Sequence, residues 1–195
     1  MELDPSEQDS SATYRIVSST VTPRPIGWIS TRSADGVDNL APYSYFNAIS
    51  SSPPVVMFSA GRTEGELKDT PRNALDSEVF VYNLVTESVA AKMDKTSASI
   101  DADESEFEMA GIDREEAATI DAPRVANALV SFECTLYDSM EIYGNTVVFG
   151  EVVYIHIDDE VLTDGAIDTR KIDAVGRLGG RLYTATDSMD LQRWN

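Results

Sequence analysis

Reactive side chains are scarce in this sequence. Among 195 residues there is one cysteine, Cys134, and one histidine, His156. A lone cysteine excludes an intrachain disulfide and leaves a thiolate metal site without partners. Cys134 alternates with Val130, Phe132 and Leu136 along one extended stretch, so it reads as a small buried hydrophobe rather than a nucleophile. His156 lies in the strand-like run VVYIHID, with no second histidine to share a metal and no serine elbow beside it, and a structural role is the favoured reading. Positive charge is scarce as well. The lysines are Lys68, Lys92, Lys95 and Lys171, and 15 Lys+Arg face 34 Asp+Glu for a formal charge of −19. That field repels phosphate backbones and anionic lipid, which sets aside nucleic acid and membrane surfaces as partners. No apolar stretch approaches the roughly 20 residues that span a bilayer, and no basic start leads into an apolar core of a signal peptide, so a cytoplasmic protein is expected.

What is present is the composition of a folded chain. The hydrophobic fraction is an ordinary 42%, so the acidity has been added to the surface without emptying the core. Two accounts of the acidic coat stand: adaptation to a salt-loaded, halophilic cytoplasm, where screening removes most of the self-repulsion, or a face for a partner. Length suggests one domain. Residues 1–12 are polar and acidic and read as a flexible N-terminus, with order beginning near Tyr14 and a single domain over 13–195.

Along the chain, PIGWIST (25–31), the turn Ala34-Asp35-Gly36 and Val37–Leu40 predict a hairpin. Val55–Ser59 follows Pro53-Pro54 as a third strand. Thr70-Pro71 has the form of a helix start, hydroxyl at the N-cap and proline at the first helical position, for a short helix to about Ser77. Val79–Val85 reads as a strand, Thr86 as the cap of a helix through about Met93, and 94–120 as an acidic excursion with short helical turns. From Val130 to Tyr137 the period of two predicts a half-buried strand, with Ser131, Glu133, Thr135 and Tyr137 on the outer face. Asn145–Ile157 is apolar on both phases and broken by Gly150, as in a strand that bends or bulges at a barrel corner. A last short strand is expected within 181–185. Many antiparallel strands and few short helices predict a mainly β fold, a small barrel.

Two segments stand out as candidate binding elements. Ala41–Ser50 mixes aromatics with serine and asparagine where a strand gives way to a loop, apolar walls with a few donors that suit a flat heteroaromatic ligand; an aromatic core strand is the competing reading. Arg62, Lys68 and Thr70 gather cations and a hydroxyl at a predicted helix N-terminus, favourable for phosphate, with plain capping as the alternative. The glycine-rich 176–180 matches neither a dinucleotide fingerprint nor a P-loop.

In order and spacing, Thr22-Pro23-Arg24-Pro25, NLAPYSYFNAIS (39–50), SPPVVM (52–57), Lys68-Asp69-Thr70 with Asn73, Gly144-Asn145-Thr146, Gly150-Glu151-Val152 and VGRLGG (175–180) before Tyr183 resemble the flavin reductase-like family with the FMN-binding split barrel. The resemblance covers nearly everything from Thr13 to Tyr183. It implies a split β-barrel with a few short peripheral helices, assembled as a homodimer with one FMN bound per barrel at or near the subunit interface. Tyr43, Ser44, Tyr45, Phe46, Asn47 and Ala48 would line the isoalloxazine ring. Ser59, Arg62, Lys68 and Thr70, with Asp69 and Asn73 of the same motif, would reach the ribityl chain and phosphate. Arg177, Gly179, Gly180 and Tyr183 would close the pocket.

The implied activity is an NAD(P)H-dependent flavin oxidoreductase passing electrons to a flavin, an iron centre or a redox partner protein. An FMN-binding electron carrier or flavin-storage protein without nicotinamide turnover is the alternative, and an acidic interaction module with no cofactor a third reading. No catalytic residue and no metal ligand is expected, because the flavin would carry the chemistry and the protein need only orient and desolvate it.

Overall fold

A computed structural model describes residues 1–191; the last four residues of the domain expected over 13–195 lie outside the described residues. Fourteen strands run in chain order: β1 (Arg24–Pro25), β2 (Gly27–Arg32), β3 (Asp38–Tyr43), β4 (Phe46–Ser51), β5 (Pro54–Gly61), β6 (Val79–Asn83), β7 (Arg114–Glu116), β8 (Pro123–Val125), β9 (Val130–Ile142), β10 (Asn145–Ile157), β11 (Leu162–Thr163), β12 (Ala166–Ile167), β13 (Val175–Arg177) and β14 (Tyr183–Ala185). Four short helices accompany them: α1 (Ser10–Thr20), α2 (Asp69–Asp76), α3 (Ala90–Lys95) and α4 (Glu106–Ala110). The fold is mainly β, as the strand and turn pattern predicts.

Seven strands form one antiparallel sheet in the order β3-β2-β6-β9-β10-β5-β4. Its two edge strands, β3 and β4, are consecutive in the chain and separated only by Ser44 and Tyr45, so the sheet has to curl until its edges meet. The Ser59 N–H donates to the Tyr45 carbonyl at 2.8 Å, which carries the β4–β5 ladder up to that corner. The two edges come together at that corner, the seam, where Tyr43 of β3 packs on Phe58 of β5 with ring centroids 5.0 Å apart. Inside the barrel, Ile29, Phe58, Phe80, Cys134 and Val148 are fully buried. The outer face of β2 and β3 turns Trp28 and Leu40 into a second core with Met93 of α3 and Phe107 of α4. The excursion after residue 94 is therefore a cover over one side of the barrel.

The long strand β10 pairs with β9 through register shifts at Phe149/Gly150 and Val152/Tyr154, the bend expected at Gly150. A side chain at Gly150 would drive its Cβ into the Phe80 ring and within 2.9 Å of Cys134 Cβ. Gly150→Ala should therefore destabilise the protein by about 1–3 kcal/mol through overpacking. The urea midpoint measures this, and an unchanged midpoint would show that the Phe80 ring can move aside.

Several expectations need correction. Regular structure begins before Tyr14, because α1 starts at Ser10 behind Asp9, and the expected boundary at residue 12 falls inside that helix. The cap of α2 is Lys68, in extended conformation at φ −66° and ψ 160°, and not Thr70. Pro71 is then the third helical residue, where a missing N–H still has no intrahelical partner to lose. Thr86 precedes a 3₁₀ turn, Glu87–Val89, that leads into α3. The outer face of β9 is not solvent-facing at its start, since Ser131 and Glu133 are both fully buried. The period of two located the strand but could not reveal that the excursion covers its polar side. Among the described residues, no helix is long and apolar enough to cross a membrane.

Candidate functional site

The seam, α2 and the start of the excursion enclose a cleft of about 460 Å³, within the range of small-molecule sites. Asn39, Ala41, Pro42 and Tyr43 of β3 form its floor, Lys68 to Thr70 and Arg72 one wall, Thr63 to Leu67 a rim, and Thr96 to Ile100 with Glu106 the opposite side. Four predicted residues, Tyr43, Lys68, Asp69 and Thr70, thus meet in one cavity.

Beneath the floor lies a chain of buried polar groups. Asn39 Nδ2 donates at 3.0 Å to each carboxylate oxygen of Glu106, and the Leu40 N–H donates to Oε2 at 3.0 Å. The Thr70 hydroxyl donates to Asn39 Oδ1 at 2.7 Å and Thr31 donates to the same atom at 3.3 Å. Asn73 Nδ2 in turn donates to Thr31 Oγ1 at 3.2 Å. Burial raises the Glu106 carboxyl above its ordinary value against these donors, and the negative charge of Asp69 adds to the rise. Burial likewise pushes the Tyr43 phenol up.

Cations around the cleft are mostly spent. Arg72 pairs with Asp69 at 2.8 Å and donates to the Leu67 carbonyl at 2.6 Å. Arg62 reaches Glu141 at 3.2 Å and the Gly65 carbonyl at 3.1 Å, and it does not line the cleft. Lys68 is left as the lining cation without an ion pair among the described residues.

The other predicted residues lie apart from this wall. Phe46 is core, stacked on Tyr82 with ring centroids 4.6 Å apart, so for that residue the aromatic-strand reading holds. Tyr45, Asn47 and Ala48 are exposed along the seam, and Ser44 and Ser59 are half-buried there. Asn73 is buried in the network under the floor. Arg177 lies over the Tyr183 ring at 4.4 Å and donates to the Tyr183 oxygen and the Gly180 carbonyl, while the Tyr183 hydroxyl donates to Asp94 at 2.8 Å. That turn is anchored to the end of α3 and does not line the cleft. Gly179 packs on Ser19, where a Cβ would fall 3.0 Å from the serine Cβ. Arg24 ties these pieces together, donating to the carbonyls of Ser18, Val21 and Leu178; a cation at the C-terminal carbonyls of α1 is favourable and gives the Thr-Pro-Arg-Pro motif a structural purpose.

Sequence reasoning missed Asn39 and Glu106. Asn39 lay at the edge of the recognised motif, and Glu106 sat in an acidic run where no single carboxylate stands out. Among the described residues no group of three His, Cys, Asp or Glu side chains could hold a metal. His156 Nε2 is bonded to Glu133 at 2.6 Å on the far side of the sheet, and the cleft contains no histidine or cysteine. Its chemistry is that of a binding site: one unpaired cation, several hydroxyls, an aromatic floor.

A family model described as "Flavin reductase like domain" matches residues 18–175. The chain belongs to that family. An uncharacterized protein of Aquifex aeolicus is 42% identical over 185 residues, 94% of each chain. Among solved structures, the nitrilotriacetate monooxygenase component B of Bacillus cereus superposes with a TM-score of 0.94 at 30% identity, covering 98% of both chains. The 2-nitrobenzoate 2-nitroreductase of Pseudomonas fluorescens gives a TM-score of 0.91 at 30% identity over 99% of this chain and 96% of that one. Both superpositions extend over nearly the whole of this chain.

Proposed function

We propose that this flavin reductase-like protein binds FMN in the seam cleft and acts as an NAD(P)H-dependent oxidoreductase of the cytoplasm. The observation that carries the reading is the unpaired Lys68 beside the aromatic seam in a chain of this family. The residues fit the cofactor. Lys68 and the lining hydroxyls of Thr63, Ser97 and Ser99 suit a phosphate, and the Tyr43 end of β3 with the exposed Tyr45 and Asn47 suits the edge of a flat ring. The carboxylates Glu64, Glu66, Asp69 and Glu106 on the same walls oppose a phosphate at long range and restrict it to the Lys68 side. FMN, when bound, supplies hydride and electron transfer. The chain's own contribution is to hold the ring at the seam and to shield it from water with the excursion. The oxidoreductase class draws support from the two solved structures at 30% identity, one a monooxygenase component and the other a nitroreductase.

The test is anaerobic mixing of the FMN-loaded protein with NADH or NADPH. Loss of the visible flavin absorbance is expected; a spectrum that stays unchanged with both nucleotides would sink the reductase and leave an electron carrier. Lys68→Ala should weaken FMN by tenfold or more and leave riboflavin unchanged, since a charge-assisted bond of about 1.5–3 kcal/mol is lost only where a phosphate is present. Equal losses for the two flavins would remove Lys68 from the phosphate.

We also propose a homodimer. Its support is the exposed apolar residues of the β9–β10 hairpin, Tyr137, Met140 and Ile142 in the half toward its turn and Tyr154 and Ile155 in the half toward its open end, each more than 40% exposed in a chain of charge −19. Patches of that kind mark association surfaces. Light scattering should return twice the chain mass, and a monomer at working concentration would contradict it.

A further inference from the structure

The buried network under the cleft floor fixes where protons can go. Glu106 is the first residue of α4 and only 6% exposed, and an ionised carboxylate can only accept. Asn39 approaches both of its oxygens at 3.0 Å, so the asparagine must present its NH2 there; the reverse orientation would set its oxygen against a carboxylate. Asn39 Oδ1 then has to face Thr31 and Thr70. A threonine hydroxyl owns one proton, and that of Thr70 is committed inward at 2.7 Å. What Thr70 retains toward the cleft is lone pairs. The Tyr43 phenol also adjoins this hydroxyl. A buried polar network could equally serve only to pin β3, α2 and α4 together, but it would then have no bearing on which atoms a ligand offers.

We infer that Glu106, acting through Asn39, is a positioning residue that makes Thr70 a hydrogen-bond acceptor on the cleft wall, so that Thr70 receives a ligand hydroxyl while phosphate is left to Lys68 and main-chain N–H groups. The inference rests on the flavin reading of the cleft. The ligand hydroxyls it selects are those of the ribityl chain, common to FMN and riboflavin. The groups facing Glu106 are Asn39, Leu40 and Tyr43 from β3, Lys68, Asp69, Thr70 and Arg72 from α2 and its cap, and Asp101 and Glu104 from the loop before α4. Asn39 Nδ2, the Leu40 N–H and the main-chain N–H of Glu106 itself bond the Glu106 carboxylate directly.

The test measures dissociation constants of FMN and riboflavin by quenching of flavin fluorescence in the wild type and in T70V, E106Q and the double variant. T70V should weaken both flavins by the same factor, about fivefold. In E106Q the new amide keeps its oxygen on the Leu40 N–H and turns its NH2 toward Asn39. Asn39, 3.0 Å from both oxygen positions, then no longer has its NH2 held toward residue 106; in the flipped orientation its NH2 donates to Thr70 and the Thr70 proton is released to the cleft. Because the ribityl hydroxyls are common to both flavins, FMN and riboflavin should change by the same factor in E106Q, and that change should vanish in E106Q/T70V. Selective loss of FMN in T70V would show that the proton already points outward. A change in E106Q that persists in the double variant, or one that favours FMN over riboflavin, would come from charge removal alone; either result overturns the inference. Should E106Q fail to fold, T70S and T70V carry the test, with serine expected to restore both flavins equally and selective restoration of FMN overturning it. The flavin-free protein gives a separate readout in its ¹⁵N spectrum. The Asn39 side-chain NH2 should be protected from exchange and shift in E106Q, and a rapidly exchanging NH2 would remove Glu106 as its holder. If no flavin binds the wild type while that NH2 is protected, the flavin reading fails and the proton arrangement stands.

Discussion

Replacing Asn83 by leucine should lower the unfolding free energy by about 3–5 kcal/mol, a large part of the stability of a protein of this size. Asn83 ends β6 and is fully buried. Its Nδ2 donates to the Trp28 carbonyl and to Ser30 Oγ, both at 3.1 Å, and its Oδ1 accepts from the Val125 N–H at 2.9 Å and from Ser131 Oγ at 3.0 Å. One side-chain amide, with two donors and two lone pairs, is thereby satisfied completely by β2, β8 and β9. Leucine has a similar size, so packing is nearly conserved and the loss isolates the polar contribution. The two serine hydroxyls can rotate to other acceptors. The Val125 N–H and the Trp28 carbonyl cannot, and each unpartnered buried group costs about 1–3 kcal/mol. Because Val125 belongs to the excursion that covers the cleft, local opening should increase as well, with amide exchange between residues 94 and 126 speeding up more than in the barrel. Urea unfolding of the variant is the measurement; a loss below about 1 kcal/mol would mean that water or a neighbouring group takes over these bonds.

Much of the barrel was legible because alternation and turn chemistry are local. The hairpin around Ala34-Asp35-Gly36, the strand after Pro53-Pro54 and the bent strand from Asn145 to Ile157 all appear where the sequence places them. What local pattern cannot carry is which polar faces become covered. Ser131 and Glu133 read as the wet side of a strand, yet both are buried, Glu133 under Ala118 and Thr119 and Ser131 against Asn83, 48 positions earlier in the chain. The same limit applied at the site. Lys68 and Thr70 were found through residue type and motif, but the role given to Thr70 as a helix cap required knowing that its hydroxyl would instead reach Asn39, 31 residues away. Phe46 illustrates the converse. An aromatic in a loop-like motif invites a ligand, and only the stacking on Tyr82 shows that it belongs to the barrel interior. Glu106 was hidden by abundance: in a chain with 34 acidic residues, burial and bonding, not residue type, mark the carboxylate that organises the network under the cleft.

Glu133→Gln should cost about 3 kcal/mol at neutral pH, with a penalty that shrinks as the solution is acidified. The Glu133 carboxylate is fully buried and accepts four bonds. Oε1 takes the Ala118 N–H at 2.5 Å and His156 Nε2 at 2.6 Å; Oε2 takes the Thr119 N–H at 2.8 Å and the Thr119 hydroxyl at 2.5 Å. An amide in its place has to set an NH2 against one of these pairs. The Thr119 hydroxyl can turn and His156 can change tautomer, but each pair also contains a main-chain N–H, and that donor is stranded whichever way the amide lies. Burial pushes the Glu133 carboxyl up, yet the bonds from Thr119, Ala118 and His156 outweigh it and hold the group below its ordinary value of 4.5. A carboxyl depressed in the folded state contributes stability in full above the unfolded value, and loses it as pH falls through the folded one. The wild type should therefore give up its advantage below about pH 4.5, whereas the variant has no charge to lose at this position. Urea titrations of both proteins at pH 7, 5, 4 and 3 follow the difference, in which the other carboxylates cancel. A difference that stayed constant down to about pH 3 would mean that Glu133 binds its proton equally well folded and unfolded, and one that grew between pH 7 and about 4.5 would mean that Glu133 is already protonated in the folded protein at neutral pH. His156 would then be accepting a proton from it, and the clasp on the excursion would be neutral.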